Sequence, residues 1–444
     1  MSPFLFYSEM VEEDPSTARS MVSKIAVAYR KSTLARFIWY MGPALMVSIA
    51  YMDPGNYGTD IQGGAGYNYN LLWVVWLASG MAMLLQYLSG KLGIATGQSL
   101  PEILHEKLKK KKFIIPYWLA AEAAAAATDL AEYLGTVIAL NLLFGIPMIY
   151  AAIFGALDVI IVLTFMSSRF RIIEQMFLLF VSVISIGYLY EIFITRPDPS
   201  AIAIHSFVPI LPDNGAIMIA VGVIGATVMP HALFLHSSLT ANKVKDSSPA
   251  EKRRVLKLHR YENIITLTIA GFVNAAIMVM ASAAFYNGHS NVASVSDAYK
   301  TMIPLFGAAA GVIFVLTLLS SGISSSIVGT LAGQFIFEGL LGRKVNVWLR
   351  RFITRFVNVV PTTIAILVGL DPLSILVYSQ VILSLMIPLP MIPLVMLCRN
   401  KKLMGEFVNR KTTTVLGFGI VGVILVFNTY LLISTFFPTM IPFS

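Results

Sequence analysis

The stretch Ile49–Tyr57, with the sequence IAYMDPGNY, interrupts an apolar run that extends over residues 37–67. Pro54 removes a backbone hydrogen-bond donor and Gly55 destabilises a helix, so regular helical hydrogen bonding is expected to fail here. Lipid cannot satisfy the backbone groups that are set free, so they must face protein, water or a ligand. An aspartate at such a break, here Asp53, predicts a functional site within a membrane-spanning helix.

The amino-acid composition predicts an all-α polytopic membrane protein. Of the 444 residues, 57% are hydrophobic and 12% are charged, and the mean hydropathy is +0.76. A soluble domain carries about 25% charged residues. The single cysteine, Cys398, excludes an internal disulfide framework and any zinc or iron–sulfur site built from cysteines. Residues 1–36 lack the apolar core and small-residue cleavage site of a secretory signal.

Apolar runs of about 20 residues, the length that crosses a bilayer as a helix, mark about eleven transmembrane helices. They are predicted at 37–67, 71–95, 116–144, 148–166, 173–195, 215–240, 262–286, 303–340, 352–369, 373–397 and 413–437.

The placement of basic residues predicts the orientation of these helices. Cytoplasmic loops of membrane proteins are enriched in lysine and arginine. With the predicted spans, every lysine and arginine except Arg196 and Lys300 falls on the side of the N-terminus. We therefore expect an integral membrane protein, placed in the plasma membrane, with a cytoplasmic N-terminus and an external C-terminus. The same distribution assigns the net charge of +9 to membrane topology and not to nucleic-acid binding.

A second break, with the sequence GVIGATVMPH at 222–231, interrupts the sixth predicted span. The two breaks are five spans apart, and an odd offset inverts the second unit relative to the first. Broken helices at matching positions of inverted repeats predict the central binding site of a secondary transporter. The predicted organisation is a cytoplasmic N-terminal segment (1–36), a first five-helix repeat (37–200), a second, inverted five-helix repeat (201–400), and a cytoplasmic loop with an extra eleventh helix (401–444).

The residues at the two breaks predict a metal site. Asp53 supplies an anionic oxygen and Asn56 an amide oxygen, while unwinding before Pro230 would free the carbonyl of Ala226 and place the Met229 sulfur beside it. Oxygen ligands alone suit magnesium or calcium, whereas a thioether favours softer transition metals. The set therefore predicts a divalent ion such as Mn²⁺ or Fe²⁺, bound as transported substrate and not as a resident cofactor. Taken alone, Met229 is a common core filler and Asp53 a possible helix cap or salt-bridge partner.

A second group of polar residues predicts a proton route. Glu122, Asp129 and Glu132 are spaced by seven and three residues and share one face of the third span. Buried carboxylates on one helical face are typical of a water-lined proton pathway. A static salt-bridge network is the alternative, and the two interpretations are compatible. The expected counter-charges at the inner end of the ninth span are Arg350, Arg351 and Arg355.

Other polar residues within the spans receive different assignments. His231 follows the second break and is placed in the proton pathway, because imidazole titrates near neutral pH. His236 is expected to be structural. Gln380 is either an interhelical hydrogen-bond partner or an additional ligand. The serine-rich stretch 320–326 is expected to allow close helix packing, and Asn274 is given no role.

Asp53-Pro54-Gly55-Asn56 and Met229-Pro230-His231 together resemble the first- and sixth-helix signatures of the Nramp (natural resistance-associated macrophage protein) divalent metal transporters. The resemblance covers nearly the whole chain. It includes the motifs Asp129-Leu130-Ala131-Glu132, His236-Ser237-Ser238, Leu349-Arg350-Arg351 and Ser379-Gln380-Val381. One departure is Ala232, where the family usually has asparagine.

The resemblance implies a LeuT-type fold with a 5+5 inverted repeat, and proton-coupled uptake of Mn²⁺ and Fe²⁺, with Cd²⁺ also accepted. It implies that the metal ligands are Asp53, Asn56, the Ala226 carbonyl and Met229, joined in some conformations by Gln380 and the Ala50 carbonyl. It implies that the proton route comprises Glu122, Asp129, Glu132, His231, Arg350 and Arg351.

Three alternatives are weighed against this interpretation. A sodium-coupled amino-acid carrier of the same fold would bind a substrate carboxylate, for which Asp53 and Met229 are poor choices. A metal-selective channel would share the ligands but needs neither coupling nor broken inverted repeats. An intramembrane metalloenzyme would need a set of cysteine and histidine ligands that this sequence does not offer, so we expect a transporter and not an enzyme. The expected partners are the metal ion, protons and the lipid bilayer, and a monomer is compatible with this function.

Overall fold

The structure is a computed structural model that describes residues 42–157, 170–244, 247–289, 295–370 and 372–436. Within these ranges the chain is helical and contains no β-strand, which confirms the predicted all-α class. Short 3₁₀ helices follow α2 and α17. The α-helices are α1 (Pro43–Ala50), α2 (Pro54–Tyr67), α3 (Leu72–Thr96), α4 (Leu100–Leu108), α5 (Lys111–Phe144), α6 (Met148–Gly155), α7 (Phe170–Thr195), α8 (Pro199–Phe207), α9 (Asn214–Val228), α10 (Pro230–Lys243), α11 (Pro249–His289), α12 (Val295–Phe306), α13 (Ala308–Leu341), α14 (Val347–Val368), α15 (Pro372–Met386), α16 (Pro388–Arg399), α17 (Lys401–Met404) and α18 (Lys411–Phe436).

Nine stretches of the described residues are long enough and apolar enough to cross a bilayer. The helices α2 and α3 run together through a 3₁₀ turn, so the first two predicted spans share one stretch. The predicted fourth span, 148–166, lies outside the described residues after 157. The nine stretches are Pro54–Thr96, Lys111–Phe144, Met176–Thr195, Asn214–Lys243, Pro249–Tyr286, Ala308–Leu341, Trp348–Val368, Ser374–Arg399 and Lys411–Ser434.

The start of one predicted span is wrong, for a local reason. The predicted span 303–340 merges two helices, because Gly307 has a φ of 91° and separates α12 from α13. The predicted span 373–397 agrees with the single stretch Ser374–Arg399, within which a turn at Ile387 separates α15 from the proline-rich α16. The predicted boundary between the two repeats, at 200/201, lies within α8, and the division into repeats stays a prediction.

The two predicted breaks are present, and prolines explain both. An α-helical carbonyl accepts from the N–H four residues later. The residue four positions after Ala50 is Pro54, and the residue four positions after Ala226 is Pro230, so neither carbonyl has an α-helical donor. The chain is non-helical at 51–53 and again at Met229, which has a φ of 26°.

Helix packing around the breaks is arranged in matching pairs. The half-helix α2 packs along α11, and the half-helix α10 packs along α3. The helix α3 follows the first broken helix (α1 and α2), and α11 follows the second (α9 and α10). The contact of α2 with α11 is therefore the equivalent, in the inverted repeat, of the contact of α10 with α3. The helices α5 and α13 pack against each other beside this core. Helices with exposed apolar side chains, such as Phe193 on α7 and Leu367 on α14, lie outside it.

Candidate metal centre and proton pathway

Asp53 caps the half-helix α2 with one carboxylate oxygen, and the other oxygen is not used in the cap. Its Oδ1 accepts from the backbone N–H of Asn56 at 2.9 Å, which satisfies a donor at the helix N-terminus. Its Oδ2 has no hydrogen-bond partner among the described residues, and the side chain is 0% exposed. The cap and the predicted ligand role are therefore compatible, since each uses a different oxygen.

The side chain of Asn56 connects the two breaks. Its Nδ2 donates to Asp53 Oδ1 at 2.8 Å and to the carbonyl oxygen of Ala226 at 3.4 Å. The amide donor thus lies between a carboxylate and a freed carbonyl, both of which are predicted ligands. Two electron-rich oxygens that converge on one point form a position suited to a cation.

Two residues that the sequence analysis did not assign hold the Asn56 oxygen. Thr227 donates its hydroxyl to Asn56 Oδ1 at 3.3 Å, and Asn274 donates Nδ2 to the same oxygen at 3.2 Å. The same Asn274 nitrogen also donates to the carbonyl of Tyr51 at 2.9 Å. Both side chains are 1% exposed. A weak sequence signal existed for each, because Thr227 is within the second break and Asn274 is a lone amide in an apolar helix.

Met229 occupies the same place in the second break as Asp53 does in the first, directly before a proline. It is 0% exposed, and its backbone takes a positive φ that non-glycine residues seldom adopt. The carbonyls of Ala50 and Ala226 flank the breaks as the last helical turns end. The predicted sulfur and carbonyl ligands are therefore buried at the two breaks with Asp53 and Asn56.

Gln380 lies over the first break. A Cβ placed on Gly55 would be 2.1 Å from Gln380 Nε2, so the glutamine amide fills the space that a side chain at Gly55 would need. Gln380 donates Nε2 to Ser379 at 3.0 Å, and its Oε1 has no partner among the described residues. Both predicted roles for Gln380, an interhelical contact and a ligand, are compatible with this position.

The serine-rich stretch of α13 does more than allow close packing. Ser321 donates its hydroxyl to the carbonyl of Met52 at 2.5 Å, which satisfies a backbone group of the first break. Ser326 accepts from Arg351 and, at 3.1 Å, from Arg355. These hydrogen bonds add a polar, structural role to the close packing expected of this stretch.

The predicted carboxylates of α5 and arginines of α14 meet. Arg350 pairs with Glu122, and Arg351 pairs with Asp129. A cavity of about 20 Å³ lies beside both pairs, and a cavity above about 10–15 Å³ can hold one water molecule. The geometry accommodates both the salt-bridge network and a proton route, and the role in proton transfer stays a prediction.

Arg355 and Glu132 complete this group in different ways. Arg355 lies over the ring of Tyr133, with its Cζ 4.8 Å from the ring centroid. Glu132 is 1% exposed, and neither of its carboxylate oxygens has a hydrogen-bond partner among the described residues. One turn further along α5, a Cβ on Gly135 would be 2.3 Å from the Pro54 side chain, so this part of α5 packs directly on the first break.

His231 connects the second break to α5. Its Nδ1 lies 3.1 Å from the hydroxyl of Thr128, the residue before Asp129, and its Nε2 has no partner among the described residues. His236 instead bonds Gln86 through Nδ1 at 2.9 Å and packs edge-on against His259. The contacts of His236 with Gln86 and His259 fit the structural role expected for this residue.

Comparison with known proteins agrees with this geometry. Residues 44–434 match the family described as natural resistance-associated macrophage protein-like, or Nramp. The divalent metal cation transporter MntH of Granulibacter bethesdensis is 45% identical over 398 residues, covering 89% of this chain and 88% of that protein. The protein of the same name from Deinococcus radiodurans is 42% identical, covering 89% of this chain and 90% of its own length.

Solved structures give the same assignment. A crystal structure of a mutant Eremococcus coleocola manganese transporter superimposes with a TM-score of 0.82 at 30% identity, covering 92% of this chain and 89% of that chain. MhsT in complex with L-phenylalanine shares the fold alone, with a TM-score of 0.57 at 13% identity, covering 89% of this chain and 98% of that chain. The fold is thus the predicted LeuT-type inverted repeat. The chain therefore belongs to the Nramp family of integral membrane transporters.

Proposed function

We propose that the chain imports divalent transition-metal ions, Mn²⁺ and Fe²⁺ and also Cd²⁺, together with protons, by alternating access. The observation that carries this proposal is the placement of Asp53 and Met229. Each directly precedes the proline of a helix break, and each is completely buried. A carboxylate, freed carbonyls and a thioether form a mixed oxygen and sulfur set that suits a divalent transition metal better than Ca²⁺ or Mg²⁺.

The bound ion would lie between Asp53, Asn56 and the Ala226 carbonyl, in the region where the Asn56 amide nitrogen now donates. A half-turn of the Asn56 amide presents Oδ1 to the ion and Nδ2 to Asn274. Asn274 has an Oδ1 with no partner among the described residues, so it can accept from Asn56 after its own amide turns. The free Oδ2 of Asp53 adds the negative charge that a buried dication requires.

Proton coupling follows from the charge of the ion. A dication beside Asp53 disfavours a proton on that carboxylate, so the proton must leave. The carboxylate of Glu132 on α5, which has no hydrogen-bond partner in the described part of the chain, is a candidate acceptor. The small cavity beside Asp129 and Glu122 provides room for a water molecule further along. The arginines Arg350, Arg351 and Arg355 would stabilise these carboxylates when they are ionised.

The membrane arrangement is part of the proposal. We place the protein in the plasma membrane with the N-terminus in the cytoplasm and the C-terminus outside, because the basic residues lie almost entirely on one side. We also keep residues 37–200 and 201–400 as the two inverted repeats, with 1–36 before them and 401–444 after. The matching contacts of α2 with α11 and of α10 with α3 support this division.

Uptake by purified protein in liposomes tests the proposed function. Mn²⁺ entry and internal pH are recorded together, with and without an inward proton gradient, and Asp53→Asn serves as the variant without the carboxylate. We expect saturable Mn²⁺ entry that carries protons inward and is lost in Asp53→Asn. An absence of Mn²⁺ entry would remove metal transport, entry without proton flux would leave a uniporter, and non-saturating current would indicate a channel.

A further inference from the structure

A cationic cavity lies away from the helix breaks, between α3, α11 and the segment that leads into α18. Its volume is about 660 Å³, which is within the roughly 300–1,000 Å³ typical of ligand pockets. Lys91 of α3, Arg260 of α11 and Arg410 before α18 line it. The proposed metal and proton sites use none of these residues.

An adjoining cavity of about 340 Å³ extends the same cationic surface. It adds Arg253 and Lys257 and shares Arg260 and Glu406 with the first cavity. Among the described residues, Glu406 is the one carboxylate that lines either cavity, and it is paired with Arg253. The lining therefore carries a strong excess of positive charge.

The buried member of this set is Lys91. It is only 7% exposed, and its ammonium donates to the neutral Asn409 Oδ1 at 2.7 Å. The partner amide nitrogen, Asn409 Nδ2, is buried with no acceptor among the described residues. Arg260 lies over Tyr87, with its Cζ 5.6 Å from the ring centroid. Since buried cations are costly unless an anion or several acceptors face them, this arrangement suits an anionic ligand.

The apolar rim indicates where that anion comes from. Ile264 lines the larger cavity and is 48% exposed, and Tyr261 lines the adjoining one and is 50% exposed. Both belong to α11, which is long enough and apolar enough to cross the bilayer. A ligand in these cavities would therefore contact cations at one end and a lipid-facing helix surface at the other.

We propose that these two cavities bind the phosphate-bearing head group of an anionic glycerophospholipid, with its acyl chains along the Ile264 face of α11. Guanidinium and ammonium groups bind phosphate through charge-assisted hydrogen bonds, and basic pockets between membrane helices recognise anionic lipid head groups. The bound lipid connects α3 and α11 with the segment before α18.

Native mass spectrometry of the delipidated full chain tests this proposal. The probes are a phosphatidylglycerol, a cardiolipin, a phosphatidylcholine and inorganic phosphate. The test variant is Arg260→Gln with Arg410→Gln, which leaves the buried Lys91 in place so that folding is retained. The matched control is Arg343→Gln with Lys344→Gln, which removes two exposed cations outside the cavities.

The expected result is tighter binding of the two anionic lipids than of phosphatidylcholine. A basic residue contributes about fivefold to such binding, so the test variant should bind anionic lipid roughly 25-fold more weakly while the control is unchanged. Equal weakening in the control would assign the effect to general surface charge and overturn the site. Binding of inorganic phosphate with no preference for anionic lipid would overturn the assignment to a lipid.

Discussion

The side-chain nitrogen of Asn56 lies 3.4 Å from the carbonyl oxygen of Ala226, so one hydrogen bond joins the two helix breaks. The two residues are 170 positions apart in the chain and belong to opposite repeats. Because the same nitrogen also contacts Asp53, it lies at the point where the predicted oxygen ligands converge. In the proposed metal-bound state the ion would replace this contact, which would couple metal binding to both broken helices.

The sulfur of Met229 should determine which ions are accepted. Met229→Ala removes the soft ligand and leaves oxygen ligands, which suit Ca²⁺ and Mg²⁺. We expect the ratio of Cd²⁺ to Ca²⁺ binding to fall by at least about tenfold, as measured by competitive titration. The control is Met391→Ala, which removes another fully buried methionine on α16. Unchanged discrimination in Met229→Ala would remove the argument from sulfur.

Asn274 should act on the metal through Asn56. Asn274→Ala removes the bond to Asn56 Oδ1 and the bond to the Tyr51 carbonyl. Loss of a group that orients a ligand typically lowers metal affinity about 10–100-fold. We expect a decrease of this size in the Mn²⁺ affinity of Asn274→Ala, as measured by Mn²⁺ titration. Asn263→Ala is the matched control, since this buried amide of the same helix bonds the Met83 carbonyl instead. Equal losses in both variants would assign the effect to the packing of α11.

The carboxylate of Glu132 should carry protons and not hold helices together. Glu132→Gln keeps the shape of the side chain but cannot ionise, and no described partner is lost. We expect Mn²⁺ binding and thermal stability to be retained while the proton flux that accompanies Mn²⁺ uptake falls. Glu338→Gln on α13 is the control, because that carboxylate bonds Gln334. A destabilised Glu132→Gln protein with normal proton flux would instead support a structural role.

Glu262 should fix the start of the first broken helix. Its Oε1 accepts from the backbone N–H groups of Gly42, Ala44 and Leu45, at 2.6, 3.1 and 3.3 Å. A carboxylate at a helix N-terminus contributes up to about 2 kcal/mol in partly buried sites. Glu262→Ala should therefore speed amide hydrogen exchange in α1 relative to α2. The control is Glu251→Ala, which removes an exposed carboxylate on the same helix as Glu262. It should leave amide hydrogen exchange unchanged in both α1 and α2.

The sequence predicted those features that depend on local rules. Pro54 and Pro230 locate both breaks, because proline lacks an N–H whatever the tertiary context. The pairing of Arg350 with Glu122 could also be predicted from the sequence, because charged side chains within a membrane usually pair with opposite charges. The start of α13 was missed because Gly307 separates two apolar helices without interrupting the hydrophobic pattern.

The remaining site residues could not be predicted because their partners are distant backbone groups. Ser321 bonds the carbonyl of Met52, 269 positions away, and Asn274 bonds that of Tyr51, 223 positions away. A serine or an asparagine in an apolar helix has no local feature that indicates which carbonyl it will reach. These contacts follow from the pairing of the inverted repeats and not from sequence spacing.

X-ray absorption at the cadmium edge of the protein loaded with one Cd²⁺ tests the central claim most directly. With Asp53 and Met229 in one site, the first coordination shell should contain oxygen and a single sulfur. The sulfur contribution should be absent in Met229→Ala, and Cd²⁺ binding should be lost in Asp53→Ala. A shell of oxygen alone in the parent protein, or a sulfur that persists in Met229→Ala, would contradict the proposed metal site.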